Sequence, residues 1–290
     1  MTKSVVSTLI GIAIADGLIA GLDQPLSELL PEHRRKMTPQ VATVTLRDLL
    51  TMSGGFAPEM SDATEQQIID GRLDLVDWAV SDGQQTAAGT RFLYSDISAH
   101  LAAAVLLSAL QHNPATKGQS VLDYARVKLF DPLDILTRPA YQGLPNGTGF
   151  ERSGFGWSQV GNLALVGFGL RLTAEDMAKI GQLYLDDGIW HGRRVLPEDW
   201  VRQATAPGET AGDYGLFWWR DTEWETPDVR SGGRPRPAHR RRSSATHGHR
   251  RAVRVQHQVR HGHRTRCPAG QRCDHPRTAV MPNRRAKTER

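Results

Sequence analysis

Leucine, isoleucine, phenylalanine, tyrosine and tryptophan are all missing from the last 61 residues of this 290-residue chain, where 17 arginines and 7 histidines stand instead. A segment with so little apolar surface cannot offset the entropy lost on ordering, so residues 229–290 are expected to form no packed structure. Cysteine is nearly as scarce. Cys267 and Cys273, the only two, lie in that tail, which excludes a disulfide framework or thiol chemistry in the body. No apolar run reaches the roughly 18 to 20 residues that a membrane span needs. The mildly apolar stretch after Lys3 lacks the cleavage site of a secretory signal, so the chain as written reads as a cytoplasmic protein without a membrane segment.

What is present divides the chain in two. Residues 1–229 carry 18 Lys/Arg against 29 Asp/Glu, and residues 230–290 carry 18 against 2, so an acidic body wears a strongly basic tail. The body, residues 1–228, reads as mainly helical. Apolar residues recur at helical spacing over 4–17, and further helices are expected at 43–50, 62–81, 97–111, 120–129, 173–187 and 197–204, several of them opened by Asp, Ser, Thr or Pro. Strand candidates are few and short, at 91–94 and 214–219. No internal repeat occurs.

Four blocks of the body and its first residues carry a family resemblance. The chain opens MTKSVVSTLIG, residues 45–55 read TLRDLLTMSGG, residues 92–101 read FLYSDISAHL, residues 124–133 read YARVKLFDPL, and residues 167–201 read GFGLRLTAEDMAKIGQLYLDDGIWHGRRVLPEDWV. In this order they resemble segments of the serine β-lactamase-like hydrolase superfamily, which includes class C β-lactamases, DD-peptidases, esterases and 6-aminohexanoate-dimer hydrolases. The resemblance implies an α/β parent fold in which an antiparallel sheet carries helices on its faces beside an all-helical domain, with the active site between them. It implies hydrolysis of an ester or amide through an acyl-serine intermediate, without metal or organic cofactor, on a small-molecule ester, amide or peptide.

Lys3 falls on the lysine of the family's Ser-x-x-Lys helix, where residues three apart share a face and the amine can take the serine's proton. The serine of that motif would stand immediately before Met1. Ser4 points to another face, and Ser7 lies a turn away in the wrong direction, so both read as packing residues. Tyr94 falls on the tyrosine of the second motif, where it relays a proton to a leaving group. Asp96 stands where asparagine is more common; it reads either as a polar contact to substrate or to Lys3, or as the N-cap of the helix over 97–111. As written, the chain has a base without a nucleophile, and a non-catalytic binding homologue or a pseudogene product is the competing reading.

The third motif, His-x-Gly followed by a strand that lines the oxyanion hole, is missing from the visible tail. The codons for residues 246–265, read one nucleotide later, permit HTGTGGQFVFNIKSDMVIV, so a frame change between about residues 224 and 246 is the leading expectation. An arginine-rich nucleic-acid arm is a rival reading, weakened by the absence of aromatic residues for base stacking. A metal site from His261, His263, Cys267 and Cys273 is a third, and its spacing fits no familiar zinc pattern. With the sheet's outer strands absent, the body is expected to be mostly helical with a sheet remnant at 214–219 and exposed apolar helix faces.

Overall fold

The computed structural model describes residues 1–135, 140–143, 156–160, 163–167, 169–221, 228–231 and 253–255. All of them belong to the first of two units, Met1–Gln258; the second, Val259–Arg290, contains none.

Helix α1 (Thr2–Ala15) is buried on every face from Thr2 to Ala13, as expected of a helix whose residues are apolar or small all round. Around it lie the short helices α2 (Leu26–Leu29), α3 (Pro39–Ala42) and α4 (Leu46–Leu50), with a 3-10 turn at Pro31–Lys36. A capping box of Thr45 and Asp48 fixes the start of α4. The single helix expected over 62–81 is two, α5 (Asp62–Ile69) and α6 (Leu75–Asp82). Gly71 between them takes a left-handed φ of 69°, and Asp74 caps α6 by accepting from the Asp77 amide. The long helix α7 (Asp96–His112) is threaded through the core. It is followed by α8 (Val121–Ala125), which continues as a π-turn over Arg126–Phe130, and then by α9 (Ala174–Leu185) and α10 (Glu198–Ala204).

Strands are short. In one sheet β1 (Ala140–Gly143) runs parallel to β2 (Gly156–Val160), which also pairs antiparallel with β3 (Leu163–Ala164) and β4 (Leu170–Arg171). A small hairpin joins β5 (Ile189–Trp190) to β6 (Arg193–Arg194). In the third sheet β7 (Trp219–Asp221) pairs antiparallel with β8 (Asp228–Ser231), and β8 pairs parallel with β9 (Val253–Val255).

Three expectations change. Residues 91–94 form no strand: their link to the 52–58 loop is one-sided, through the Leu93 amide to the Met52 carbonyl (2.7 Å) and the Asp96 amide to the Pro58 carbonyl (3.0 Å). The tail is not featureless, because β8 and β9 lie within it, built on the β-branched Val229, Val253 and Val255. The rest of 229–290 lies outside the described residues. Nor are apolar helix faces laid bare: among the described residues the exposed large hydrophobic side chains are Val127 and Ile189. Helix α1 is covered instead by its neighbours in sequence-distant segments. Ser4 donates to the Phe217 carbonyl (2.9 Å), Thr8 shares a 2.9 Å hydrogen bond with the Tyr184 hydroxyl, and Gly11 faces the Trp200 indole.

Candidate active site

Lys3 projects from the first turn of α1 and is 7 % exposed. Its ammonium donates to Asp96 Oδ1 at 2.7 Å and to the Gly167 carbonyl at 2.9 Å, and it lies 4.8 Å from the centroid of the Tyr94 ring. Three groups separated by about 90 and 160 positions in the chain therefore meet at one amine.

Each partner is held by its own local structure. Ser95 caps α7 by accepting from the Ser98 amide, and its hydroxyl donates to the Ala57 carbonyl (2.6 Å). The cap is thus Ser95, and Asp96, as first residue of the helix, is free to reach Lys3. Tyr94, one residue before the cap, is half-buried; its ring stacks on Trp219 (5.6 Å, 25°) and meets Tyr214 edge-on (6.0 Å, 87°). The Gly167 carbonyl is aimed by the β2–β3–β4 sheet, in which the buried Trp157 indole donates to the Leu165 carbonyl (2.9 Å) and the Leu165 amide to the Ser158 carbonyl (2.9 Å). A Cβ on Gly167 would lie 2.6 Å from Asp96 Cγ and Oδ2, so only glycine lets the carboxylate sit there.

The surrounding groups are perturbed. His100 is one helical turn beyond Asp96 on α7 and 3 % exposed; burial pushes it down to about 4, against the pull of the Asp96 carboxylate and with help from Lys3. The Met1 amine is driven down to about 5 by burial and by Lys3. Burial, reinforced by Tyr94 and Asp96, raises the Tyr214 hydroxyl well above the usual phenol range.

Sequence reasoning thus named Lys3, Tyr94 and Asp96, and the fold brings all three together. It missed His100, Gly167, Tyr214 and Trp219. The i, i+4 spacing of Asp96 and His100 was a readable signal; the others arrive through tertiary packing alone. Ser4 and Ser7 are fully buried, Ser4 on the Phe217 carbonyl and Ser7 beside Tyr184, in keeping with packing roles.

Among the described residues one group could offer three ligand atoms to a metal: His33, Asp74 and Asp77, on the 31–36 turn and α6. Asp77 already accepts from His33 Nδ1 (2.7 Å) and from Lys36, and Asp74 is the α6 cap, so these groups are satisfied as an ion-pair cluster at the positive end of a helix dipole. His33 and Asp74 also border a cavity of about 670 Å³. The tail group His261, His263, Cys267 and Cys273 lies outside the described residues. No helix among the described residues is long and apolar enough to cross a membrane.

A family model described as Beta-lactamase matches residues 1–266. Among solved structures, the chain is similar to a protein described as a β-lactamase from Bacteroides dorei DSM 17855, at 21% identity and TM-score 0.56 over 76% of this chain and 64% of that one. It is also similar to one described as a 6-aminohexanoate-dimer hydrolase from Bacillus anthracis (17%, TM-score 0.53, 75% of this chain and 56% of that one). A D-stereospecific amidohydrolase from Streptomyces sp. matches at 19% and TM-score 0.53, over 76% of this chain and 69% of that one. The chain thus spans between about half and two thirds of the length of these proteins, and at such identities the likeness is one of fold.

Proposed function

The chain belongs to the β-lactamase family of serine hydrolases and has its transpeptidase-like fold, and from that premise we propose that its cleft is built for cleaving an ester or amide through an acyl-serine intermediate. In this reading a serine hydroxyl adds to the substrate carbonyl while Lys3 and Tyr94 receive its proton. The tetrahedral intermediate then collapses, the proton passes to the departing alcohol or amine, and water later frees the acid. Asp96 contacts the substrate or fixes Lys3. The observation that carries the reading is the meeting of Lys3 Nζ, the Tyr94 ring and the Asp96 carboxylate in one place.

The serine belongs immediately before Met1, three positions from Lys3 and on its helical face. The present sequence does not include that position, and we infer that the 290-residue chain by itself hydrolyses poorly, because removing the nucleophile of such a unit costs several orders of magnitude in rate. A non-catalytic binding homologue is the second reading. A fluorophosphonate or penicillin label separates the two: an adduct mapped by mass spectrometry to a serine placed before Met1 supports the hydrolase, whereas ligand binding with no adduct on that form supports the binder. The frame change inferred between residues 224 and 246 is tested by sequencing the DNA there; no alternative frame encoding His-x-Gly would remove it. A small ester, amide or D-amino-acid peptide is the substrate class this family reading favours.

A further inference from the structure

A lysine that accepts a proton must first be a neutral amine, yet Lys3 is surrounded by groups that favour its ammonium. Two acceptors take its hydrogens at 2.7 and 2.9 Å, one of them a carboxylate. The electron-rich face of Tyr94 lies 4.8 Å away. With Lys3 9 % and Asp96 18 % exposed at the side chain, water screens this pair little. The remaining titratable groups facing it are His100 on α7, which is neutral above about 4, the Met1 amine at the start of α1, which is neutral above about 5, and the buried phenol of Tyr214. At neutral pH none of these adds a charge of its own, so the Asp96 carboxylate is the one anion these groups leave facing Lys3.

We propose that Asp96 is a positioning residue that holds Lys3 as an ammonium in the resting protein and thereby sets the pH at which Lys3 can take up a proton. Gly167 is part of the device, since it supplies the second acceptor and leaves room for the carboxylate. The functional consequence rests on the hydrolase reading; the charge state of Lys3 does not. The sign follows from the ion pair: a carboxylate beside the amine favours its protonated form, so removing the carboxylate lets the neutral amine appear at lower pH.

The test uses the full chain labelled with 15N-lysine. It contains six lysines, so the Nζ signals are few, and Lys3→Arg identifies the one that matters. The wild-type protein is expected to show a solvent-protected NH3+ signal for Lys3 at neutral pH, with a through-hydrogen-bond coupling from its Nζ to Asp96 Cγ. In the near-isosteric Asp96→Asn variant the Lys3 signal is expected to lose its NH3+ character at lower pH than in wild type. Equal titration of Lys3 in the two proteins overturns the proposal. So does a neutral Lys3 amine in the wild type at pH 7, or the absence of the coupling, both of which are read without any variant that must fold. In a form carrying the serine before Met1, the acid limb of fluorophosphonate labelling moves to lower pH in Asp96→Asn. If the NMR results hold while no labelling occurs at all, it is the hydrolase reading that fails.

Discussion

Gly167 and His100 show how single residues shape the cleft. Adding a methyl group to Gly167 puts Cβ 2.6 Å from Asp96 Cγ, well inside contact distance, and the softest response is rotation of Asp96 away from Lys3. Gly167→Ala is therefore expected to cost about 1–3 kcal/mol in urea unfolding, from overpacking and from a part-buried ion pair pulled apart, and to abolish the Lys3–Asp96 coupling. His100 carries a pH signature. Its folded value of about 4 lies below the ordinary 6.5, so its contribution to stability is fully present above 6.5 and is lost as pH falls towards 4, on the order of 3 kcal/mol in all. His100→Gln should flatten the fall of Tm between those limits, and an unchanged slope in calorimetry would count against a buried neutral imidazole. At this scale Lys3, Tyr94 and Asp96 were legible because each sits in a short segment with a recognisable neighbourhood. Gly167, Tyr214 and Trp219 were not, because only folding brings 167 and 214–219 to residue 3.

At the scale of elements, the packing of α1 against α10 has no slack. A Cβ at Gly11 would lie 2.4 to 2.5 Å from three carbons of the Trp200 indole. Replacing a helical glycine by alanine gains about 1 kcal/mol in helix propensity, but overpacking a filled core costs about 1–3 kcal/mol. A clash with a rigid ring sits at the upper end of that range. Gly11→Ala is thus expected to lower stability by about 1–2 kcal/mol, seen as a lower urea midpoint, whereas a gain would show that α10 can retreat. Most helices were readable because their caps are local: Thr45, Ser120 and Thr173 each accept from an amide three residues on. The break at Gly71 was missed because Ile68, Leu73, Leu75 and Val76 keep an apolar run going across it. The strands of 140–171 were missed because segments of two to five residues carry too few alternations to show a period.

For the whole molecule, charge and connectivity set the behaviour. Several body carboxylates sit below their usual range. For Asp123 the Ser120 hydroxyl is the main cause. At Asp77, hydrogen bonds from Lys36 and His33 outweigh the opposing effect of burial. Groups lowered in this way stabilise the fold above about pH 4, and their contribution is lost as pH falls through the folded values. Acid unfolding is therefore expected in two stages, a decline from 6.5 to 4 governed by His100 and a steeper one below 4 governed by carboxylates. Asp77→Asn should soften the second stage and leave the first. The core is continuous from α1 to the 214–219 turn, which explains why α1 is covered although the chain spans only part of the length of its structural relatives. Sequence reasoning missed this because it assigned the covering of α1 to absent strands and not to α9, α10 and the aromatic turn.

The account stands most directly on the rate at which a fluorophosphonate acylates a serine placed immediately before Met1, measured with and without Lys3. An adduct on that serine that forms at least about 100-fold more slowly in Lys3→Ala is the predicted result. No adduct, or an adduct whose rate is indifferent to Lys3, would contradict it.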